Sequence, residues 1–202
     1  MAVRLYREDL PDDISFSETV AIDTETLGLE VGRDRLCVVQ LSRGDGDAEL
    51  VQIVPGQRRA PNLEKLLAAP DVVKLFHFAR FDMAAMAHAF GVMAAPVYCT
   101  KIASKLARTY TDRHGLKDLT RELLGVELSK QQQSSDWGAE HLSPEQLAYA
   151  ATDVLHLHAL KHKLDPILAR EGRTEIAAAC FEFLPTLAQL DLGPWVPDIF
   201  EH

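Results

Sequence analysis

The stretch Thr19-Val-Ala-Ile-Asp-Thr-Glu-Thr-Leu-Gly28 decides how the rest of this chain is read. Val20-Ala21-Ile22 is a short apolar strand signal, and it ends in two acids, Asp23 and Glu25, with one residue between them. Side chains along a strand alternate between faces, so these two carboxylates project from the same side. Like charges held together in this way need a cation, and a hard divalent ion with oxygen ligands is the natural partner. The same spacing also arises by chance in exposed turns, so the pair acquires meaning only if distant acids join it.

Working outward, residues 36–41 and 49–54 have the β-branched content and length of strands, and Arg43-Gly-Asp-Gly-Asp47 forms a hairpin-like turn between them. Three strands with short connections predict an antiparallel meander. A helix over 61–69, capped by Asn62, leads to a strand over 72–76, a helix over 78–90 closed by Gly91, and a brief strand over 97–99. The second half carries no strand signal. Helices are predicted over 101–107, 116–124, 144–169 (Ser143 as cap, Pro144 in first position) and 171–190, the last broken near Pro185. The fold class is α/β: a mixed sheet flanked by helices, with a helical C-terminal half and a single domain over 1–202. The tail, 191–202, holds Trp195 and Phe200 and is either a subunit-contact arm or an intramolecular latch.

Bulk composition narrows the function classes. The 202 residues suit one domain with a sizeable core. A net charge of −9 argues against a protein that grips long nucleic acid through a broad basic face, although bound metal and a few local cations would still allow a nucleic-acid enzyme. Three widely spaced cysteines, Cys37, Cys99 and Cys180, indicate neither a disulfide framework nor a zinc knuckle. The charged N-terminus lacks the apolar stretch of a signal peptide and no run reaches membrane-spanning length, so the expected compartment is the cytoplasm.

Two further acids complete a cluster. Asp82 follows a strand and lies in the first turns of a helix, where the helix dipole alone would favour an anion. Asp153 interrupts the apolar stripe of Leu147, Ala150, Ala151, Val154 and Leu155, and an acid there is costly unless paired or metal-bound. Tyr149 precedes it by four residues and shares its helix face. Four acids in this order suit two divalent ions, roughly 3.5–4 Å apart, clamping the attacking and leaving oxygens of a phosphodiester. Asp23 is the candidate to bridge both ions, and Tyr149 the candidate to orient the attacking water or help deprotonate it.

The segments Ile22-Asp-Thr-Glu-Thr-Leu-Gly-Leu29, His77-Phe-Ala-Arg-Phe-Asp82 and Tyr149-Ala-Ala-Thr-Asp153 resemble the three motifs of the DEDDy branch of the DEDD 3′→5′ exonucleases, close to ribonuclease D. The connecting segments His114-Gly-Leu-Lys-Asp-Leu119, Lys130-Gln-Gln-Gln-Ser-Ser-Asp-Trp137 and Leu142-Ser-Pro-Glu-Gln-Leu-Ala-Tyr149 are similar too, and the match covers roughly residues 15–165. The resemblance implies a ribonuclease H-like sheet, dependence on Mg²⁺ or Mn²⁺, and release of 5′-mononucleotides. The absence of ribonuclease D's helical accessory domains and the form of the C-terminus resemble nano-RNase C, a small family that trims very short RNA, dinucleotides included, as a ring-like octamer. Ribonuclease D-like processing of longer structured RNA and DNA 3′→5′ exonuclease activity are the alternatives. A non-catalytic nucleic-acid-binding module fits least, since all four acids and the tyrosine are present.

Beside the acids, Thr24, Leu27, His77, Phe81, Lys101 and Gln133 are candidate substrate contacts. Leu27 would wedge against a terminal base or simply pack in a turn. His77 would touch a phosphate or serve structure, and Phe81 would stack a base or lie in the core. Lys101 and Lys130 are candidate phosphate contacts, Gln133 would face the nucleotide, and Trp137 is expected as a packing anchor. His156, His158 and His162 lack the neighbours of a zinc site and read as a polar helix face.

Overall fold

The computed structural model describes residues 2–128, 135–195 and 199. Strands β1 (Val3–Arg7), β2 (Thr19–Thr26), β3 (Leu36–Ser42), β4 (Ala48–Gln52), β5 (Val73–Phe76) and β6 (Val97–Cys99) form one sheet in the order β1-β4-β3-β2-β5-β6. The β2-β3-β4 meander is antiparallel as expected, and β5 and β6 add to it in parallel. β1 carried no strand signal: its residues are mostly exposed, and it lies parallel to β4 at the sheet edge. Polar contacts add to its ladder with β4 and to the packing of Val3 and Tyr6 against the cores. The Arg4 guanidinium reaches Asp47 and Glu49, and the Tyr6 hydroxyl donates to Glu49 at 3.0 Å.

The helices are α1 (Pro61–Ala68), α2 (Ala79–Phe90), α3 (Thr100–Ala107), α4 (Leu116–Leu119), α5 (Pro144–Leu155), α6 (Leu157–Arg170) and α7 (Thr174–Asp191). They cover both faces of the sheet. Val20, Ile22, Val39 and Leu41 pack in one core with Leu63, Leu67, Met83, Met86 and Leu184 from α1, α2 and α7. Ala21, Val38, Leu50 and Leu75 pack in the other with Ala103, Ala150, Val154, Leu160 and Leu164 from α3, α5 and α6. The alternation that divides Ala21 from Val20 and Ile22 runs on through the rest of β2. It sends Asp23 and Glu25 toward the α5 layer and Thr24 toward the α2 layer.

Several boundaries differ from expectation. The cap of α1 is Asp9, whose carboxylate accepts from the backbone N–H groups of Asn62 and Leu63; the Asn62 amide instead donates to the Leu10 carbonyl and to Asp12. The helix expected over 116–124 is α4 followed by a π-helical turn, Thr120–Leu124. The Thr120 hydroxyl bonds back to the Leu116 and Lys117 carbonyls, which competes with the regular ladder. The helix expected over 144–169 breaks at His156, so that α5 lies on the sheet while α6 packs against α3. α7 runs through Pro185 without ending. Its packing on α2, the burial of Leu184 and Ala188, and the Arg80–Asp191 ion pair at 2.7 Å outweigh one missing backbone donor. Ser143 caps α5 as expected, in a reciprocal box with Gln146, and Gly91 closes α2 at φ 74°. Cys37 and Cys99 are buried, Cys180 is half-buried, and all three are free thiols. Trp195 is exposed, while Phe200 lies outside the described residues.

Candidate active site

The C-terminal end of β2 lies between the two helical layers, and each layer brings an acid to it. α5 is anchored by its N-terminal box, and Gln146 also donates to Ser135 Oγ and to the Asp136 carbonyl, tying the helix to the segment before Trp137. Two turns on, Tyr149 and Asp153 leave the apolar stripe toward Asp23 and Glu25. Carboxylate oxygens of Asp23, Glu25 and Asp153 converge to within 4.8 Å of one another. Asp82 stands outside this trio. It comes from α2 on the opposite layer, is buried, and is joined to β2 by the Thr24 hydroxyl, which donates to its Oδ1 at 2.6 Å. Thr24 therefore spends its hydroxyl orienting an acid. The β2–β3 register shifts between Glu25 and Thr26, with Cys37 the extra residue on β3, and such irregularities are common beside reactive centres.

These groups raise one another's proton affinity. Burial pushes Glu25 up to about 9, with Asp153 and Asp82 adding to it. Burial likewise takes Asp82 to about 7 and Asp153 to about 7; the Thr24 hydroxyl opposes the shift at the first and the Tyr149 hydroxyl at the second. Asp23 is raised well above the carboxylate range by burial first, then by Asp82, Asp153 and Glu25. The Tyr149 phenol is raised as well, by burial and then by the Asp153, Glu25 and Asp23 carboxylates. The donor set is all hard oxygen and its charge is concentrated, which fits Mg²⁺ or Mn²⁺ and does not fit a soft-metal site. His156, His158 and His162 take no part in it, and the His158 Nε2 instead meets the Thr19 hydroxyl at 3.1 Å.

The acids floor a cleft of two lobes, of about 360 and 810 Å³, which share Asp23, Glu25, His77 and Phe78. Lys101, Lys117, Leu116 and Tyr149 line the smaller lobe, and Leu27, Phe81 and Trp137 the larger. Leu27 is 54% exposed and rests over Gly138, where an added Cβ would lie 2.7 Å from its Cδ2. Trp137 is buried against Tyr149, with ring centroids 6.1 Å apart. The Thr100 hydroxyl donates to the Phe76 carbonyl at 3.1 Å, so at 2.9 Å it accepts from the His77 Nδ1–H, and the His77 Nε2 keeps its lone pair. Burial, with Lys101 adding, pushes His77 down to about 3. In this arrangement the ring presents an acceptor to the cleft. Gln133 and Lys130 lie outside the described residues.

Sequence reading missed Phe78. It sits in left-handed backbone at φ 73°, is 52% exposed, faces both lobes, and carries the Lys101 Nζ 3.9 Å over its ring. A large side chain at positive φ is strained, and such strain gathers at functional sites. Sequence reading had placed it inside the helix expected over 78–90, whereas it is the left-handed residue before α2.

A sheet of this order, with acids from both layers meeting at the end of its central strand, defines a class. The model of the 3′–5′ exonuclease family matches residues 8–169, and the chain belongs to that family. Within it, the chain is similar to Brucella melitensis NrnC. A structure of that protein bound to pGG is 60% identical, with a TM-score of 0.95, and the match covers 100% of this chain and 99% of that one. The same protein with bound Mg²⁺ is 60% identical with a TM-score of 0.94, over 100% of both chains. Ribonuclease D of Gluconacetobacter diazotrophicus is 38% identical over 160 residues, which is 79% of this chain; the chain spans only 40% of that relative's length. The resemblance to ribonuclease D-like exonucleases, and within them to nano-RNase C, is borne out. Among the described residues no helix is long and apolar enough to cross a membrane.

Proposed function

We propose that this chain is a metal-dependent 3′→5′ exoribonuclease that hydrolyses short RNA, down to dinucleotides, to 5′-mononucleotides. The observation that carries the reading is the convergence of the Asp23, Glu25 and Asp153 carboxylates within 4.8 Å on the floor of an open cleft, with Asp82 tied in through Thr24. Asp23, Glu25, Asp82 and Asp153 would hold two divalent ions. Such ions, when bound, lower the pKa of water and neutralise charge developing on the scissile phosphate. Tyr149 would orient the attacking water through its hydroxyl or help take its proton. His77 would accept from a sugar hydroxyl, Leu27 would part the terminal bases, Phe81 would stack one of them, and Lys101 would meet a phosphate. Gln133 keeps its proposed nucleotide contact.

Support for a short substrate comes from the NrnC relative, whose structure holds pGG and whose full length this chain matches. The net charge of −9 also suits a small substrate better than a long duplex. We extend the reading to a single nuclease domain over 1–202, working in the cytoplasm as a homo-octamer, with 191–202 contacting a neighbouring subunit. The test is a 5′-labelled RNA of about seven nucleotides incubated with Mn²⁺ or with EDTA. A ladder shortening from the 3′ end in Mn²⁺, and intact RNA in EDTA, is expected. Internal cuts, or no products in metal, would remove the proposal.

A further inference from the structure

Gln40 lies in the middle of β3, is fully buried, and neither its amide nitrogen nor its amide oxygen has a hydrogen-bond partner among the described residues. In register it stands directly opposite Asp23 on β2 and opposite Leu50 on β4. Residues directly opposite in an antiparallel ladder share a face, with Cβ atoms about 4.5–5.5 Å apart. That face is the one whose core holds Ala21, Val38, Leu50 and, from α5, Ala150, Ala151 and Val154. α5 packs on both β2 and β3, so the Gln40 amide lies beneath the helix that presents Tyr149 and Asp153. That core is largely apolar, and in the ladder the acid opposite Gln40 is Asp23. A primary amide in such a place is costly unless bonded, and an apolar residue of the same volume would be the better choice for packing alone.

We propose that Gln40 is a positioning residue for Asp23: in the metal-loaded protein its amide N–H, unpartnered here, donates to the Asp23 carboxylate oxygen turned away from the cleft and holds that acid in the orientation that receives metal. This rests on the metal-dependent reading above. Groups that orient a metal ligand from behind typically change metal affinity by 10–100-fold when removed. In the metal-free protein the same amide is a burden on the fold, so its replacement separates the two roles.

The experiment titrates full-length wild type, Gln40→Met and Gln40→Leu with Mn²⁺, following free Mn²⁺ by electron paramagnetic resonance, and records the metal-free Tm of each. Both variants are expected to bind Mn²⁺ at least about tenfold more weakly while keeping or raising the metal-free Tm. Mn²⁺ affinity within twofold of wild type in a folded variant would overturn the proposal, and a lowered Tm with unchanged affinity would mark Gln40 as structural only. If wild type itself bound no Mn²⁺, the metal-dependent reading would fail, and this proposal with it.

Discussion

The surroundings of Asp153 would act on it in opposite directions with and without bound metal. In the metal-free fold, burial beside Asp23 and Glu25 makes its ionised form unfavourable; with divalent cations present, the ionised form is the one required. Asp153→Asn should therefore lower kcat by about a hundredfold or more while leaving the metal-free Tm equal to or above that of wild type. Near-normal turnover in a steady-state assay would contradict the role. The pH dependence follows with a definite sign. Glu25 at about 9, and Asp82 and Asp153 at about 7, lie above the usual carboxylate range, so between that range and those values the folded chain holds protons that the unfolded chain has released. The stability these groups contribute is complete below the usual carboxylate range and is lost progressively as pH rises from there to about 7 to 9. Thermal melts in EDTA should show Tm falling from pH 5 to pH 9, with Mn²⁺ restoring it at the alkaline end. A Tm that rises over that interval would contradict the charge distribution described for the site.

At the scale of elements, the acids were legible because strand alternation and helix spacing are periodic, and both survive as local patterns: Asp23 with Glu25 on β2, Tyr149 with Asp153 on α5. What no local pattern encodes is a contact between layers. The Thr24 hydroxyl reaching Asp82, the Asp9 carboxylate capping α1, and the edge strand β1 held by Glu49 all join residues far apart in the chain. Phe78 escaped for a related reason, since its left-handed backbone is imposed by the passage from β5 into α2 and an aromatic residue gives no hint of it. Pro185 and His156 show the converse: packing carries α7 through a proline, and breaks an apparently continuous helix at a histidine. Lys74 is another contact of this kind. Its fully buried ammonium donates at 2.6 Å to the Ala69 carbonyl after α1 and to the Ala95 carbonyl before β6. Lys74→Met would remove both of these charge-assisted bonds and should destabilise the fold by about 1–3 kcal/mol, measured by urea unfolding. An unchanged denaturation midpoint would show that the two bonds contribute nothing.

On the scale of the whole molecule, the sheet is a frame that brings α2 and α5 to the same strand end from opposite sides, and the cleft between them is open. The chain matches an NrnC structure over 99% of that chain and spans 40% of a ribonuclease D. Light scattering on the purified chain should give a mass near eight subunits, and a monodisperse monomer would remove the ring assembly. The central claim is tested most directly by a competition between two RNAs. A labelled dinucleotide and a labelled RNA of about twenty nucleotides, at equal concentration of ends, are mixed with limiting enzyme in Mn²⁺. The dinucleotide should be consumed first, yielding only mononucleotides, with EDTA stopping both reactions. Faster loss of the longer RNA, or hydrolysis that persists in EDTA, would contradict the account.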